Sequence, residues 1–409
     1  MLSAEDNELL TRVGPGTPCG ELLRHYWMPV ACASEISEDN PVKKVRILGE
    51  NLVLFRDGDG RMGLLPERCP HRHASLYYGF AEEDGLRCPY HGWKFDVNGE
   101  CIEQPYERAG GPLMKQACLK SYPVQQLSGL IFAYLGPDPA PLLPRWEILV
   151  RKDGVRDIVV LPEHKNNWLQ AQENSHDPTH TFWLHAKLYE RALKDRPEER
   201  KKWAADLAYF GRPIDSFDFQ LCREPAWTGI RKVRTYGGDN PEKEAGHPAI
   251  FPNILIAPQQ RFLTIHFRVP IDDTHTAIYW VEFLPNEDGS ITEQADADIP
   301  VTFMEQPRKS EDEDYRLDHF VYQDQMAWET QGAIADRTTE LIGAGDRGIV
   351  MYRNLLREQI LKVQNGEEPD GVIRDPSLNE MIRFTFSTGQ ADTARKMADE
   401  APAEMAAAK

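Results

Sequence analysis

The chain has little that would hold it to a membrane or a polyanion. None of its apolar runs is long enough to span a bilayer. Its 47 Lys and Arg fall short of its 65 Asp and Glu, and the resulting net charge of −18 excludes nucleic acid and anionic lipid as natural partners. The opening residues, MLSAEDNELL, are acidic and lack the basic and apolar pattern of a signal peptide, so the expected location is the cytoplasm. Cysteine is scarce. The seven are Cys19, Cys32, Cys69, Cys88, Cys101, Cys118 and Cys222, an odd number without disulfide-like spacing. No internal repeat is present, and no GxGxxG opens a βαβ unit, which removes a dinucleotide-binding module.

What is present is concentrated. In CPHRHASLYYGFAEEDGLRCPYHGW, residues 69 to 93, Cys69-x-His71 and Cys88-x2-His91 supply two thiolates and two imidazoles. That is a complete ligand set for a Rieske 2Fe-2S cluster, whose one iron takes sulfur and the other nitrogen. A tetrahedral zinc is the rival, although zinc fingers usually keep cysteines in one pair and histidines in the other, and here each pair is mixed. Pro70, Pro89 and Gly92 suit two turns closing over a cluster. His73 lies off the pattern and reads as a polar loop residue.

A cluster of this kind only stores and passes single electrons, so an acceptor is expected downstream. The segment NNWLQAQENSHDPTHTFWLH, residues 166 to 185, contains Asp177-x2-His180-x4-His185. Two histidines and one carboxylate make the facial triad of mononuclear non-haem Fe(II) oxygenases. Five residues of an ideal helix separate two side chains by about 140°, so the helix must be distorted, by a π-bulge or an end, for both rings to meet one metal. Asp177-Pro178 also reads as a helix N-cap followed by proline, and the two roles are compatible.

The cluster loops, the His91-Gly92-Trp93-Lys94-Phe95-Asp96 that follows, and the histidine pair together resemble the Rieske non-haem iron ring-hydroxylating oxygenases, alpha subunit. The opening EDNELLTRVGPGTPCGELLRHYWMPVA is similar to the phthalate dioxygenase branch, which includes diaryl-ether dioxygenases and aromatic O-demethylases. The resemblance implies an iron carboxylate ligand on a later helix, and Asp324, with Trp328 and Glu329 after it, fits within the helically spaced stretch Tyr315 to Gly332. Asp318 and Glu329 remain open as alternatives. It also implies that Asp177 links His180 to His91 of a neighbouring subunit, a hydrogen bond that would orient a metal ligand, and that Asn174 lies beside the iron.

The fold class expected is α+β. A small antiparallel β Rieske domain with its N-terminal segment (1–140) precedes a helix-grip catalytic domain with a curved antiparallel sheet (141–390) and a flexible tail (391–409). Residues 42 to 66 read as a β-hairpin about DGDG, Val97-Asn98-Gly99 as a turn, and GPDPAPLLPRW (136 to 146) as the boundary. Ala186 to Asp206 reads as a polar helical stretch. The segments TGIRKVRTY, RFLTIHFRV and HTAIYWVEFL read as strands, with helices returning from about 310 to 365.

The resemblance implies a terminal oxygenase taking O2, an aromatic acid such as a phthalate or phenoxybenzoate, and electrons from a separate NADH-dependent flavin and iron-sulfur reductase, assembled as a homo-oligomer built on trimers. Dihydroxylation is the expected reaction, with O-demethylation as the alternative. A mere electron carrier would not need some 250 further residues with a second ligand set. An aromatic carboxylate calls for arginine. Strand alternation puts Arg231 and Val233 on one face, Lys232 and Arg234 on the other, and Thr264, His266 and Arg268 together; Arg231, Arg234 and His266 are the substrate-binding candidates.

Overall fold

The computed structural model describes residues 1–237, 242–243, 246–258, 262–304 and 314–384; the tail expected at 391–409 lies outside them. The chain opens with two short helices, Ala4–Thr11 and Pro18–Arg24, each started by a hydroxyl cap (Ser3, Thr17). Their apolar residues Leu10, Leu22 and Leu23, with Val13 between the two helices, share a core with Tyr352, Leu356 and Ile360 of the helix Arg347–Gln364. The N-terminal segment is thus packed against the last long helix.

Three small antiparallel sheets follow. Met28–Cys32 pairs with Leu130–Ala133, which pairs with Val124–Leu127. The expected hairpin is a three-stranded meander, Val42–Ile47, Glu50–Arg56 and Met62–Pro66. The turn at DGDG is where it was expected, but Leu48 and Gly49, at φ 49° and 76°, fold the first half back on itself as a tight second turn. The third sheet runs Phe80–Glu82, Gly85–Arg87, Lys94–Phe95, Cys101–Glu103. Its last turn is the expected one. Asp96 Oδ1 accepts from the backbone N–H groups of Asn98 and Glu100, and Gly99 sits at φ 80° where a Cβ would meet Leu119 O at 2.1 Å.

The proline-rich segment is pinned rather than loose. Leu142 N–H donates to Ile373 O, Arg145 N–H to Asn379 Oδ1, and Trp27 Nε1 to Pro141 O. Beyond it stands a nine-stranded sheet in the order Ile214–Glu224, Trp227–Tyr236, His247–Ile250, Ile254–Pro258, Leu263–Pro270, Thr276–Pro285, Gly154–His164, Val301–Phe303, with Glu242–Lys243 beside Trp227–Tyr236. All pairs are antiparallel except the last. Three helices, Trp168–Asn174, Phe320–Glu329 and Arg347–Gln364, accompany this curved sheet in the helix-grip arrangement. The stretch from Ala186 is less regular than expected. It is broken into Tyr189–Ala192, Pro197–Lys202 and Ala204–Phe210, with Tyr189, Leu193 and Leu207 forming a core of their own. Among the described residues no helix is long and apolar enough to cross a membrane.

Candidate functional site

Two tight turns bring the four cluster residues together. In the first, His73 N–H donates to Cys69 O; in the second, Gly92 N–H donates to Cys88 O, with Gly92 at φ 73°. Arg87 rivets the second turn, donating to Gly92 O at 2.8 Å while held by Glu82 and Glu103. The donors are sorted by depth. Cys69 and Cys88 are buried, whereas His71 is exposed, His91 is half-buried, and their rings lie 4.4 Å apart with His71 stacked on Trp93. Burial and the neighbouring Cys88 push the Cys69 thiol up to about 12, so a bound cation is what would make it a thiolate. Sulfur inside and nitrogen outside fits a two-iron cluster with unlike ends.

The second centre lies under the large sheet. The helix Trp168–Asn174 starts at Asn167, whose Oδ1 accepts from Leu169 N–H. After it, Asp177 Oδ1 accepts from the N–H and hydroxyl of Thr179, closing a turn ahead of a helix whose N-cap position is Thr179 and not the expected Asp177, while Asp177 Oδ2 is 3.3 Å from His180 Nδ1. Burial opposes the Asp177 charge, but His180 and Thr179 more than offset it and hold its carboxyl far below the usual range. The expected helix distortion is present: His180–Phe182 is α-helical and Trp183–Leu188 is a π-helix. The wider turn brings the His180 and His185 rings to 5.2 Å at 81°.

Asp324 completes the group. Its Oδ1 is 3.3 Å from His185 Nε2, and one ligand atom from each of His180, His185 and Asp324 lies within 4.8 Å of the others. The alternatives are engaged elsewhere: Asp318 accepts from Arg316 and Arg196, and Glu329 from Tyr315, Gln325 and Lys165 N–H. Asn174 Nδ2 reaches Asp324 Oδ1 at 3.4 Å. Sequence reasoning missed Gln323, whose Oε1 lies 3.1 Å from His185 Nδ1 and whose amide donates to Leu317 O. The fixed amide makes Nδ1 the donor and leaves Nε2 for a metal. Nothing in the local sequence separates Gln323 from other helical glutamines.

The three converge on a cavity of about 120 Å³, the size class that takes a single aromatic ring. Of the three substrate-binding candidates, Arg234 and His266 line it. Arg231 does not. It shares the other face of its strand, and Lys232 and Arg268 stand in the cavity in its place.

Two family models match the chain. The "Rieske [2Fe-2S] domain" matches residues 26–123 and the "LigXa C-terminal domain like" family residues 303–388. Over 389 residues the chain is 40% identical to the 5,5'-dehydrodivanillate O-demethylase oxygenase subunit of Sphingobium sp. (strain NBRC 103272 / SYK-6), covering 93% of this chain and 86% of that one. The chain belongs to the Rieske oxygenases, as an oxygenase (alpha) subunit. It is 34% identical to the phenoxybenzoate dioxygenase subunit alpha of Ectopseudomonas oleovorans, covering 89% and 87%. A diaryl-ether dioxygenase and an O-demethylase are the relatives that the opening segment pointed to. The fold matches the terminal oxygenase of carbazole 1,9a-dioxygenase from Nocardioides aromaticivorans IC177 with a TM-score of 0.61, 19% identity, and 87% and 96% coverage.

The cofactors of this Rieske oxygenase are the 2Fe-2S cluster and a mononuclear iron. A Gln323→Leu protein is expected to lose iron to a chelator about 10- to 100-fold more readily than the parent, with cluster absorbance unchanged.

Proposed function

We propose that Cys69, His71, Cys88 and His91 hold the cluster, that His180, His185 and Asp324 hold the iron, and that this oxygenase oxidises an aryl carboxylate. The carrying observation is one cavity lined both by the triad and by Lys232, Arg234 and Arg268. When bound, the cluster supplies single electrons and the iron the site for O2. The chain's residues do the rest. Gln323 fixes the tautomer of His185, Asp177 steadies His180, Trp280 and Phe320 exclude water from the reacting ring, and the cationic wall orients the acid.

O-demethylation of a methoxylated aryl acid is the reaction favoured, supported by the 40% identity to an O-demethylase subunit. Dihydroxylation uses the same ligands and is the second reading, supported by the likeness to a dioxygenase. Electrons come from a separate NADH-linked flavin and iron-sulfur reductase in the cytoplasm, and the subunits form trimers in which Asp177 meets His91 of the next copy. Leu341, 91% exposed and lining one hollow with Asp177, and Tyr90, 55% exposed beside His91, support such a contact. The cluster domain and the catalytic domain divide near residue 140.

Incubating the purified oxygenase with a suitable reductase, NADH, O2 and vanillate is expected to release formaldehyde and the corresponding phenol. A cis-diol without formaldehyde would favour the second reading, and turnover of neutral aromatics alone would overturn the acid assignment.

A further inference from the structure

Three cations line the cavity, and they are not equivalent. Lys232 Nζ donates to Asp177 O and Arg234 Nη1 to Thr181 Oγ1, so both are tied to the protein. Arg268 is 3% exposed, and its Nε and Nη1 find no partner among the described residues. No ion pair involves it there. Asp324 offsets its charge in part, but a guanidinium buried without hydrogen-bond acceptors gives up its hydration for little return.

Its surroundings say what would repay it. Arg268 lies two positions along its strand from His266, which is paired with Trp280 on the next strand and stacked on it at 4.3 Å and 30°. Trp280 in turn lies 5.9 Å from Phe320. An aromatic wall, stacked at His266 and Trp280 and tilted at Phe320, therefore runs beside a donor fork whose Nε and Nη1 have no acceptor among the described residues. The indole N–H of Trp280 is likewise buried and unpaired. Asp324, the one carboxylate of the described lining, is engaged by His185 and Asn174, and a planar carboxylate attached to a ring would supply Arg268 with acceptors in the geometry that a guanidinium matches.

We propose that Arg268 is the carboxylate anchor of this cavity and is held there at a cost to the ligand-free fold, with the ligand's ring lying against His266, Trp280 and Phe320. The proposal rests on the aryl-acid reading above and adds which residue recognises the acid.

The test is Arg268→Met, which keeps the length and removes the charge. Binding is measured by calorimetry on the iron- and cluster-loaded protein, using vanillate and its uncharged methyl ester as probes, alongside thermal unfolding without ligand. Vanillate is expected to bind about 10- to 100-fold more weakly to the variant. The ester should bind both proteins alike, and the ligand-free variant should melt at or above the parent's temperature. A merely structural arginine would lower the melting temperature and leave the acid-to-ester preference intact, and that result overturns the proposal. So does equal vanillate affinity in parent and variant while the parent still prefers acid to ester, which leaves the aryl-acid reading standing. A parent that binds ester but no acid overturns both. Arg268→Lys, which retains charge without the fork, is expected to recover only part of the acid affinity; full recovery would overturn the bidentate anchor.

Discussion

An Asp324→Asn protein is expected to fold, to keep its cluster absorbance, and to retain about two irons per chain instead of about three, with product formation at background. The substitution preserves volume and removes one charge, and charge is what matters here. Among the described residues lining the cavity, Asp324 is the only acid, facing Lys232, Arg234 and Arg268. Burial disfavours its anion, but His185, His180 and Arg268 more than compensate and hold its carboxyl below the usual range, so it is ionised at neutral pH. Without it a dication would enter a pocket of positive wall with only two neutral imidazoles to hold it. Its loss would also leave His185 Nε2 and Asn174 Nδ2 facing an amide in place of an anion. Asp318→Asn and Glu329→Gln, whose carboxylates serve Arg196, Arg316, Tyr315 and Gln325, are expected to keep the third iron. Metal analysis of the three proteins decides the matter. A third iron that survives in Asp324→Asn and is lost in one of the other two would move the ligand to that acid.

Parts of this site are legible in the sequence because they are local. The mixed Cys-x-His and Cys-x2-His pairs are close in sequence and their turns follow from Gly92 and the prolines beside them. The π-helix at Trp183–Leu188 follows from arithmetic, since five residues cannot put two rings on one side of a regular helix. Asp324 was harder. Periodicity gave the helix Phe320–Glu329 but not which nearby acid faces His185, because that depends on contacts some 140 residues apart, as His185 with Gln323 shows. Alternation likewise sorted Arg231 from Arg234 and grouped Arg268 with His266, yet it could not say which face looks inward. The packing of the first two helices against Arg347–Gln364 left no mark in either segment, for it joins the two ends of the described chain.

The same long-range packing makes Glu173 the residue whose loss should cost most in stability. Arg337 donates to it through Nε at 2.9 Å and Nη2 at 2.8 Å, and Arg353 through Nε at 2.6 Å, with all three side chains less than a tenth exposed. Arg353 also meets Glu340, and Arg337 reaches Asn7 of the first helix. Glu173→Gln fills the same space but leaves Arg337 without a carboxylate and Arg353 with Glu340 alone, and breaking a buried pair from one side costs about 3–5 kcal/mol. At about 2.1 cal/mol/K of unfolding entropy per residue, that lowers the melting temperature of a chain of 409 residues by roughly 4–6 °C. Acid should show the same dependence. Burial alone would raise the Glu173 pKa, but the two arginines lower it below 4.5, so its folded value lies under its unfolded one. Its contribution is therefore complete above about 4.5 and is withdrawn as pH falls toward the folded value. The parent should lose stability in that range and Glu173→Gln should lose less. Glu173→Met with Arg337→Met leaves Arg353 its Glu340 partner, and should regain most of the lost stability. A double variant as unstable as the single one would mean that the helix Trp168–Asn174 is held by something other than this charge cluster. That helix ends at Asn174, next to Glu173 and in contact with Asp324, so iron retention in Glu173→Gln should fall at the same temperature as the fold.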